Sequence, residues 1–488
     1  MLLILLIVGL PFISADRCSS VPPSLWCSSK ELSKECGFED LCDRYHTATH
    51  NQRINITVLI EALCPDCQRF IVDELYPNVY KNFAGFVNIE FVPYGNAKVV
   101  NGTIQCQHGP EECSINRFES CLIDSVQTQE QYVPLIYCIE NNLRSKIPFD
   151  KASAKCFRTL SVSEDIQRLI QSCLVSRLGE RLQEKAAKQT ANVWPDKHRA
   201  VPWVVINGIS LESEQMMMDH LPYLICNLNY SSIAQMLLIL LLVGLSFVSA
   251  DRCSSVPPSL WCSSKELSKE CGFEDLCNRY HTATHNQRIN ITVLMEALCP
   301  GCQHFIVDEL YPNIYKNFAG FVNIEFVPYG NAKIVNGTIQ CQHGAEECAI
   351  NRFESCLIDS VQTQEQYVPL IYCIESNLRS EVPFDKASAK CFRTLAVDED
   401  TQRLIQSCLV SRLGEELQEK AAKRTESVWP DKHRHVPWVV INGVSLESEQ
   451  SLMDHLPYLI CEWYTGDKQI PYCRSEEKKK YKMMSLNV

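Results

Sequence analysis

The pattern of hydrophobic and polar positions occurs twice along the chain. Cys18 and Cys253 are 235 positions apart, as are Cys226 and Cys461, and the residues between them are nearly identical in the two repeats. Repeats that stack into solenoids are about 20–50 residues long, so this period indicates two complete folding units, the first copy and the second copy. A chain of 488 residues is long enough for two domains that each bury a sizeable core.

Within the first copy, the pattern changes between the alternation of a strand and the spacing of a helix. Residues 54–63 are rich in β-branched residues and apolar on both faces, which predicts a buried central strand. Apolar residues at helical spacing predict a helix over 68–83, kinked at Pro77. The remaining predicted elements are a strand over 86–92, a long region over 106–190 whose helical pattern is clearest over 166–187, a strand over 201–208 and a helix over 211–224.

A Cys-x-x-Cys sequence stands directly after the predicted central strand and before the helix in each copy. Unpaired N–H groups and the helix dipole stabilise a thiolate at a helix N-terminus, which predicts Cys64 and Cys299 as nucleophiles. Cys67 and Cys302 are then predicted to resolve a mixed disulfide. The alternatives are a static disulfide or half of a zinc site, and zinc requires four closely placed ligands.

The order of strand, Cys-x-x-Cys, helix, strand, helical region and strand resembles a thioredoxin-like fold with a helical insertion, as in DsbA-type proteins. The resemblance predicts the α/β class, with two tandem thioredoxin-like domains that each contain a helical insertion and several structural disulfides. Such folds place a cis-proline loop beside the active-site cysteines. Pro202 and Pro437 are the residues at that position here.

The 27 cysteines are typical of an oxidising, secretory environment. Residues 1–15 and 236–250 are short apolar runs ending at a small residue, which predicts a signal peptide and a second, signal-like segment too short to span a bilayer. Five Asn-x-Ser/Thr sequons are candidate glycosylation sites: Asn55, Asn101, Asn229, Asn290 and Asn336. The formal net charge of −12 gives no electrostatic footprint for nucleic acid.

A cysteine-rich segment precedes the predicted central strand of each copy. It resembles the saposin A-type module in the spacing of Trp26, Cys27, Cys36, Gly37 and Cys42 and of Trp261, Cys262, Cys271, Gly272 and Cys277. The segment has few apolar side chains, so we expect disulfides to determine its shape.

A second motif, Cys-Gln-His-Gly followed by Glu-Cys, Asn and Cys at fixed spacings, lies downstream of each Cys-x-x-Cys. Its members are Cys106, Gln107, His108, Gly109, Glu112, Cys113, Asn116 and Cys121, and Cys341, Gln342, His343, Gly344, Glu347, Cys348, Asn351 and Cys356. With this motif, residues 54–226 and 289–461 resemble the gamma-interferon-inducible lysosomal thiol reductase family.

The resemblance implies a glycosylated disulfide reductase that acts on partly unfolded proteins in acidic endo-lysosomal compartments or outside the cell, with a small thiol as reductant. It would assist proteolysis, and antigen processing or host defence in animals. No cofactor, metal or nucleic acid is expected. The resemblance carries catalytic roles only to Cys64, Cys67, Cys299 and Cys302. In the second motif we expect structural disulfides, with His108 ordering a loop rather than transferring protons.

The competing interpretation is a cysteine-rich secreted binding or structural protein whose Cys-x-x-Cys pairs are static disulfides. Cysteine parity adds one further expectation. The second copy has one cysteine more than the first, Cys473, so the first copy is left with an odd number outside its redox pair. An odd cysteine predicts a free thiol or a disulfide-linked dimer.

The predicted organisation is a signal peptide (1–15), a cysteine-rich segment (16–50), a first thioredoxin-like unit (51–230), an apolar segment (236–250), a cysteine-rich segment (251–285), a second thioredoxin-like unit (286–465) and a basic, disordered tail (466–488). We interpret the second apolar segment as the trace of two fused gene copies. An internal anchor and an internally cleaved precursor are the alternatives, and no stable membrane span is expected.

Overall fold

A computed structural model describes residues 18–222, 224–225, 252–451 and 453–474. The predicted signal peptide, the second apolar segment, Cys226, Asn229 and residues 475–488 lie outside this part of the chain. The helices it contains are all too short or too polar to cross a membrane.

The described residues divide into two compact units: those within Met1–Glu39 and Asp275–Arg474, and those within Asp40–Glu274. Residues 18–39 therefore belong with the second copy, where Trp463 Nε1 donates to Ser24 Oγ (3.0 Å) and Asn442 Nδ2 donates to the carbonyl of Ser20 (2.9 Å). The sequence had placed this segment with the first copy because it precedes it. Residues 18–39 and 253–274 are identical, so the two segments offer the same side chains for packing. Their order in the sequence therefore does not determine which copy each one contacts.

Each copy is a mixed α/β structure in which a three-stranded sheet is surrounded by helices. The strands of the first copy are β1 (Ile54–Ile60), β2 (Val87–Pro93), β3 (Lys98–Val100), β4 (Thr103–Gln105) and β5 (Trp203–Ile206). Its helices, with those of the segment before it, are α1 (Lys30–Glu35), α2 (Glu39–Thr49), α3 (Pro65–Arg69), α4 (Lys81–Phe83), α5 (Pro110–Val126), α6 (Gln129–Arg144), α7 (Phe149–Thr159), α8 (Glu164–Val175) and α9 (Arg177–Ala191), with 3-10 turns at Pro23–Leu25 and Ser213–His220.

The second copy repeats these elements. Its strands are β6 (Ile289–Met295), β7 (Val322–Pro328), β8 (Lys333–Val335), β9 (Thr338–Gln340) and β10 (Trp438–Ile441). Its helices, with those of the segment before it, are α10 (Lys265–Glu270), α11 (Glu274–Thr284), α12 (Pro300–His304), α13 (Lys316–Phe318), α14 (Ala345–Val361), α15 (Gln364–Arg379), α16 (Phe384–Thr394), α17 (Glu399–Val410), α18 (Arg412–Glu426), α19 (Glu447–Gln450) and α20 (Leu456–Trp463), with 3-10 turns at Arg252–Ser255, Pro258–Leu260 and Met453–His455.

The central strand of the sheet is β1, as the apolar run at 54–63 predicts. It pairs in parallel with β2, from Ile54 opposite Val87, and antiparallel with β5, where Leu59 lies opposite Trp203. Ile56, Val58 and Leu59 are fully buried, so the carboxyl end of β1 is covered on both faces. This end of the strand leads directly to Cys64.

The helix after Cys64 is continuous but not uniform. α3 passes into a π-helical segment, Phe70–Tyr80, which ends in the single turn α4. Pro77 lies inside this segment. Proline has no N–H to donate and its ring clashes with the preceding turn, so a wider backbone accommodates it. The predicted kink is therefore replaced by a π-helical segment.

The helical insertion between β4 and β5 consists of α5 to α9. Two disulfides fix it: Cys121–Cys173 joins α5 to α8, and Cys138–Cys156 joins α6 to α7. The helical pattern over 166–187 corresponds to two helices, α8 and α9, because the chain breaks at Ser176. Ser176 has an extended backbone and its side chain accepts the N–H of Leu178, which caps the start of α9.

The structure also contains one element that was not predicted and corrects one prediction. The sequence did not indicate the hairpin β3–β4, because its exposed strands lack a buried face. The tail from 466 to 474 is ordered rather than disordered. The Cys461–Cys473 disulfide, the buried side chain of Ile470 and a hydrogen bond from the Asp467 N–H to Asn286 Oδ1 (2.9 Å) fix it to the second unit.

Candidate active site

The Cys-x-x-Cys of each copy lies where the central strand gives way to a helix. Cys64 is the N-cap of α3, with an extended backbone, and its sulfur accepts the N–H of Cys67 at 3.4 Å. Cys299 caps α12 in the same way and accepts the N–H of Cys302 at 3.4 Å. The unpaired N–H groups of a helix N-terminus therefore point at the first sulfur of each pair.

Among the described cysteines, only Cys64, Cys67, Cys299 and Cys302 are free thiols. The first residue of each pair retains a small exposed fraction, 7% for Cys64 and 8% for Cys299, whereas Cys67 and Cys302 are at 1% and 0%. A bulky disulfide can therefore approach the first sulfur of each pair more readily than the second.

Electrostatics separate the two thiols of the second copy. The pKa of Cys299 is lowered to about 6 by a hydrogen bond from the Cys302 thiol, by the backbone N–H groups of Cys302 and Gly301 and by the charge of His343, against the effect of burial. Burial and the neighbouring first cysteine raise the pKa of Cys302 well above its usual range, and that of Cys67 likewise. Near neutral pH, Cys299 is mostly a thiolate and Cys302 holds a proton.

A proline loop covers each pair. The Val201–Pro202 and Val436–Pro437 peptide bonds are cis, as are Trp194–Pro195 and Trp429–Pro430. The carbonyl of Val201 lies 3.8 Å from Cys64 Sγ, and that of Val436 lies 3.7 Å from Cys299 Sγ. The two prolines singled out in the sequence thus adjoin the cysteines.

The Cys-Gln-His-Gly motif folds against the chain between β1 and Cys64. Asn116 Oδ1 accepts the N–H of Ala62 at 2.8 Å, and Nδ1 of His108 lies 3.7 Å from Oε1 of Glu61. The other oxygen of the Glu61 carboxylate, Oε2, accepts the N–H of Asn96 at 2.7 Å. The motif is therefore part of the support for the Cys-x-x-Cys, although its residues are distant in sequence.

The motif's cysteines are bonded as follows: Cys106 with Cys113, Cys121 with Cys173, Cys341 with Cys348, and Cys356 with Cys408. Gln107 Oε1 accepts from Asn96 Nδ2 at 2.9 Å, and Gln342 makes the same contact with Asn331. Gly109 and Gly344 precede α5 and α14 with positive φ, a conformation that favours glycine.

Glu61 and its counterpart Glu296 are the functional residues that the sequence reasoning missed. Glu61 is 1% exposed, and burial raises its pKa to about 7, helped by the nearby charge of Glu112 and opposed by the Asn96 hydrogen bond. The pKa of Glu296 is also raised to about 7, first by burial. A lone glutamate at the end of a buried apolar strand was the signal available in the sequence.

Glu61, His108 and Glu112 bring three possible metal-ligand atoms within 4.8 Å of one another, as do Glu296, His343 and Glu347. His108 donates its backbone N–H to Glu112 Oε2 (2.5 Å), and its Nδ1 lies 2.9 Å from the same oxygen. Because these contacts join the three groups, we interpret each cluster as a hydrogen-bonded triad and assign no metal to it.

The sequons at Asn55, Asn101, Asn290 and Asn336 are all exposed. Asn101 and Asn336 lie in the turns of the hairpins β3–β4 and β8–β9, whereas Asn55 and Asn290 lie in the central strands with their side chains hydrogen-bonded to Asn88 and Asn323. Asn101 and Asn336, in the hairpin turns, are therefore the more accessible sequons.

Comparison with known proteins agrees with this geometry. The family model described as "Gamma interferon inducible lysosomal thiol reductase (GILT)" matches residues 55–160 and again 290–395. A protein of Carassius auratus named "Gamma-interferon-inducible lysosomal thiol reductase" is 31% identical over 191 residues, which cover 38% of this chain and 71% of the relative. The chain belongs to this family.

Two other relatives show how widely the GILT family is spread. The "Gamma-interferon-responsive lysosomal thiol protein" of Arabidopsis thaliana is 31% identical over 185 residues, 38% of this chain and 74% of the relative. A mouse protein, "Gamma-interferon-inducible lysosomal thiol reductase" of Mus musculus, is 29% identical over 191 residues, 38% of this chain and 72% of the relative. Each alignment spans about the length of one copy, and the GILT model matches twice, so the tandem arrangement consists of two GILT domains.

Proposed function

We propose that each copy reduces disulfide bonds of protein substrates, with Cys64 and Cys299 as nucleophiles and Cys67 and Cys302 as resolving cysteines. One observation carries the proposal: in the described chain, the free thiols are the two Cys-x-x-Cys pairs, and the first of each caps a helix. Membership in the GILT family supports the same activity.

The exchange proceeds in two steps. The Cys64 thiolate attacks one sulfur of the substrate disulfide, forms a mixed disulfide and releases the other sulfur as a thiolate, which takes a proton from solvent. Cys67 then loses its proton and attacks Cys64 Sγ, which releases the second substrate thiol and leaves a Cys64–Cys67 disulfide. The two electrons come from the enzyme's thiols, and a small thiol reductant restores them.

Glu61 is positioned to accept the proton that Cys67 loses. Its carboxylate charge raises the pKa of the Cys67 thiol, so the two groups lie close together. With a pKa of about 7, this carboxyl group can accept a proton near neutral pH, whereas in more acidic solution it already carries one. Glu296 occupies the same place beside Cys302.

We infer a thioredoxin-like fold for each copy. The inference is supported by the strand order β2-β1-β5, by the parallel β1–β2 and antiparallel β1–β5 pairings, and by the Cys-x-x-Cys at the end of the central strand. The insertion α5–α9 occupies the position of the helical insertion of DsbA-type proteins. The boundaries 51–230 and 286–465 remain our assignment for the two domains.

The proposed location is the secretory route to endosomes and lysosomes, or the extracellular space. Support comes from the relatives named as lysosomal and from the many disulfides, which form in oxidising compartments. The exposed sequons in the hairpin turns are consistent with a glycoprotein. There the enzyme would open disulfide-bonded proteins for proteolysis, with antigen processing or host defence as downstream roles.

A trapping experiment tests the assignment. In the full chain, Cys67→Ser should accumulate a mixed disulfide with a denatured, disulfide-containing protein, because the resolving thiol is absent. Cys64→Ser, the matched control, should trap nothing. The products are separated by non-reducing gel electrophoresis in a background where Cys299 and Cys302 are both serine. Trapping by the Cys64→Ser variant would reverse the two roles, and the absence of both trapping and reductase activity would favour a static, binding protein.

A further inference from the structure

The histidine of the Cys-Gln-His-Gly motif lies beside the glutamate that precedes each Cys-x-x-Cys, but it has no part in the exchange described above. His343 Nδ1 hydrogen-bonds to Glu347 Oε2 and lies 3.7 Å from Glu296 Oε1. Its backbone N–H donates to Glu347 Oε1 at 3.1 Å. The imidazole is 32% exposed, whereas both glutamate side chains are fully buried.

The arrangement favours the charged form of the histidine. Burial alone lowers the pKa of His343, but the hydrogen bond and charge of Glu347 and the charges of Glu296 and Cys299 outweigh it, and the pKa is raised. Two buried carboxyl groups facing one imidazole are stabilised when the ring is an imidazolium. The ring therefore holds a positive charge in acidic solution and keeps it to a higher pH than a free histidine.

That charge acts on the nucleophile. The charge of His343 lowers the pKa of Cys299, and the Cys299 thiolate raises the pKa of His343, as reciprocal coupling requires. The other titratable groups that interact with Cys299 or His343 include Glu296, Glu347, Cys302 and the buried Glu375, and His433 lies on the loop that contacts Gly330. Burial lowers the pKa of His433, so His433 is the weaker source of positive charge in acid.

We propose that His343 is a positioning residue that keeps a positive charge beside the nucleophilic cysteine and so maintains its thiolate in acidic solution. The proposal rests on the assignment of Cys299 as a nucleophile. It gives the motif histidine an electrostatic role in the reductase beyond the ordering of a loop.

The test follows the alkylation of Cys299 against pH in the full chain, with Cys64 and Cys67 both replaced by serine. The Cys-x-x-Cys is reduced under mild conditions, and modification by iodoacetamide is measured by mass spectrometry of the Cys299 peptide. His343→Gln removes the charge but keeps hydrogen-bonding capacity, whereas His343→Lys restores a positive charge. His285→Gln is the control, because that exposed histidine pairs with Asp467 instead.

The midpoint of alkylation should rise by about half a unit to one unit in His343→Gln, since a nearby opposite charge shifts a pKa by about 1–3 units before attenuation by solvent. At pH 5 this corresponds to roughly three- to tenfold slower alkylation. His343→Lys and His285→Gln should keep the parent's midpoint. Circular dichroism verifies that each variant is folded.

Superimposable curves for the parent and a folded His343→Gln variant would overturn the proposal. An equal rise of the alkylation midpoint in His343→Lys would also overturn it, because the restored positive charge would then have failed to restore the thiolate. Failure of the proposed function has a different signature. In that case the parent's reductase activity would persist in Cys299→Ser, whatever the alkylation curves of the histidine variants show.

Discussion

The carboxyl groups of Glu119 and Glu140 face each other inside the first copy, and both side chains are buried, at 0% and 1% exposure. Burial raises the pKa of both, to about 7 for Glu140, while the charge of Glu140 further raises the pKa of Glu119. Glu354 and Glu375 form the same pair in the second copy. Each pair therefore holds a proton that an unfolded chain would release at lower pH.

We predict that the protein is more stable in acid than at neutral pH. A carboxyl whose pKa is raised by folding contributes its full stability below the unfolded pKa of about 4.3 and loses it as the pH rises through the folded value. Between pH 5 and pH 8 the free energy of unfolding should fall by on the order of 2 kcal/mol per pair. Denaturant unfolding at the two pH values measures this.

The matched variants for that prediction are Glu119→Gln and Glu184→Gln. The first should flatten the pH dependence, because an amide does not ionise, whereas Glu184 is exposed and its variant should retain the parent's dependence. An unfolding free energy that increases from pH 5 to pH 8 in the parent would contradict the role of the buried pairs.

Gly330 should tolerate no side chain, because a Cβ there would lie 2.3 Å from Glu296 Oε2 and its φ is +60°. We expect Gly330→Ala to lower the free energy of unfolding by about 1–3 kcal/mol. It should also lower the activity of the second copy, because Glu296 must move. Gly320→Ala, where nothing lies within 4 Å, should stay within about 0.5 kcal/mol of the parent. Equal effects of the two substitutions would argue against a fixed Glu296.

The two active sites differ at Asp66 and Gly301. Burial raises the pKa of Asp66, with Arg69 opposing the shift. Since like charges close together disfavour a thiolate, Cys299 should be alkylated faster than Cys64 at a given pH, and the second copy should keep more activity in acid. Asp66→Gly should narrow the difference. Coincident alkylation curves for Cys64 and Cys299 in the parent would refute the comparison.

Cys461 is bonded to Cys473, but the first copy has no counterpart of Cys473. We therefore expect Cys226 to react with a maleimide in the unreduced protein, or to be found in an intermolecular disulfide. Cys461 is the internal control and should do neither. Peptide mapping without reduction distinguishes the outcomes, and a disulfide between Cys226 and another cysteine of the same chain would contradict the prediction.

The apolar segment between the copies, residues 236–250, leads to a separate prediction. If residues 236–250 act as a signal or are the trace of a fusion, mature chains should begin near Asp16 and near Asp251. Sequencing the amino termini of protein isolated from its source measures this. A single full-length glycoprotein extracted only with detergent would instead favour an internal anchor.

The sequence predicted the parts of the site that depend on local pattern. A β-branched run followed by Cys-x-x-Cys and a helix is a local signal, and β1 and α3 lie where it indicates. The association of His108 and Asn116 with Glu61 and Ala62 was not predictable, because it depends on packing between elements far apart in sequence. The break at Ser176 was missed for a related reason. Gly179 packs closely against Arg117 of α5, a contact that the helical periodicity does not reveal.

The division of the described chain into units that each draw on both copies has a consequence for maturation. A protease that cuts between 226 and 251 would not release two independent particles, because residues 18–39 belong to the compact unit of 275–474 and residues 252–274 to the other. Each compact unit would then consist of segments from both cleaved chains, held together by contacts within that unit. A substitution such as Trp26→Ala, at a side chain only 1% exposed, should then destabilise the second copy rather than the copy that follows it in the chain.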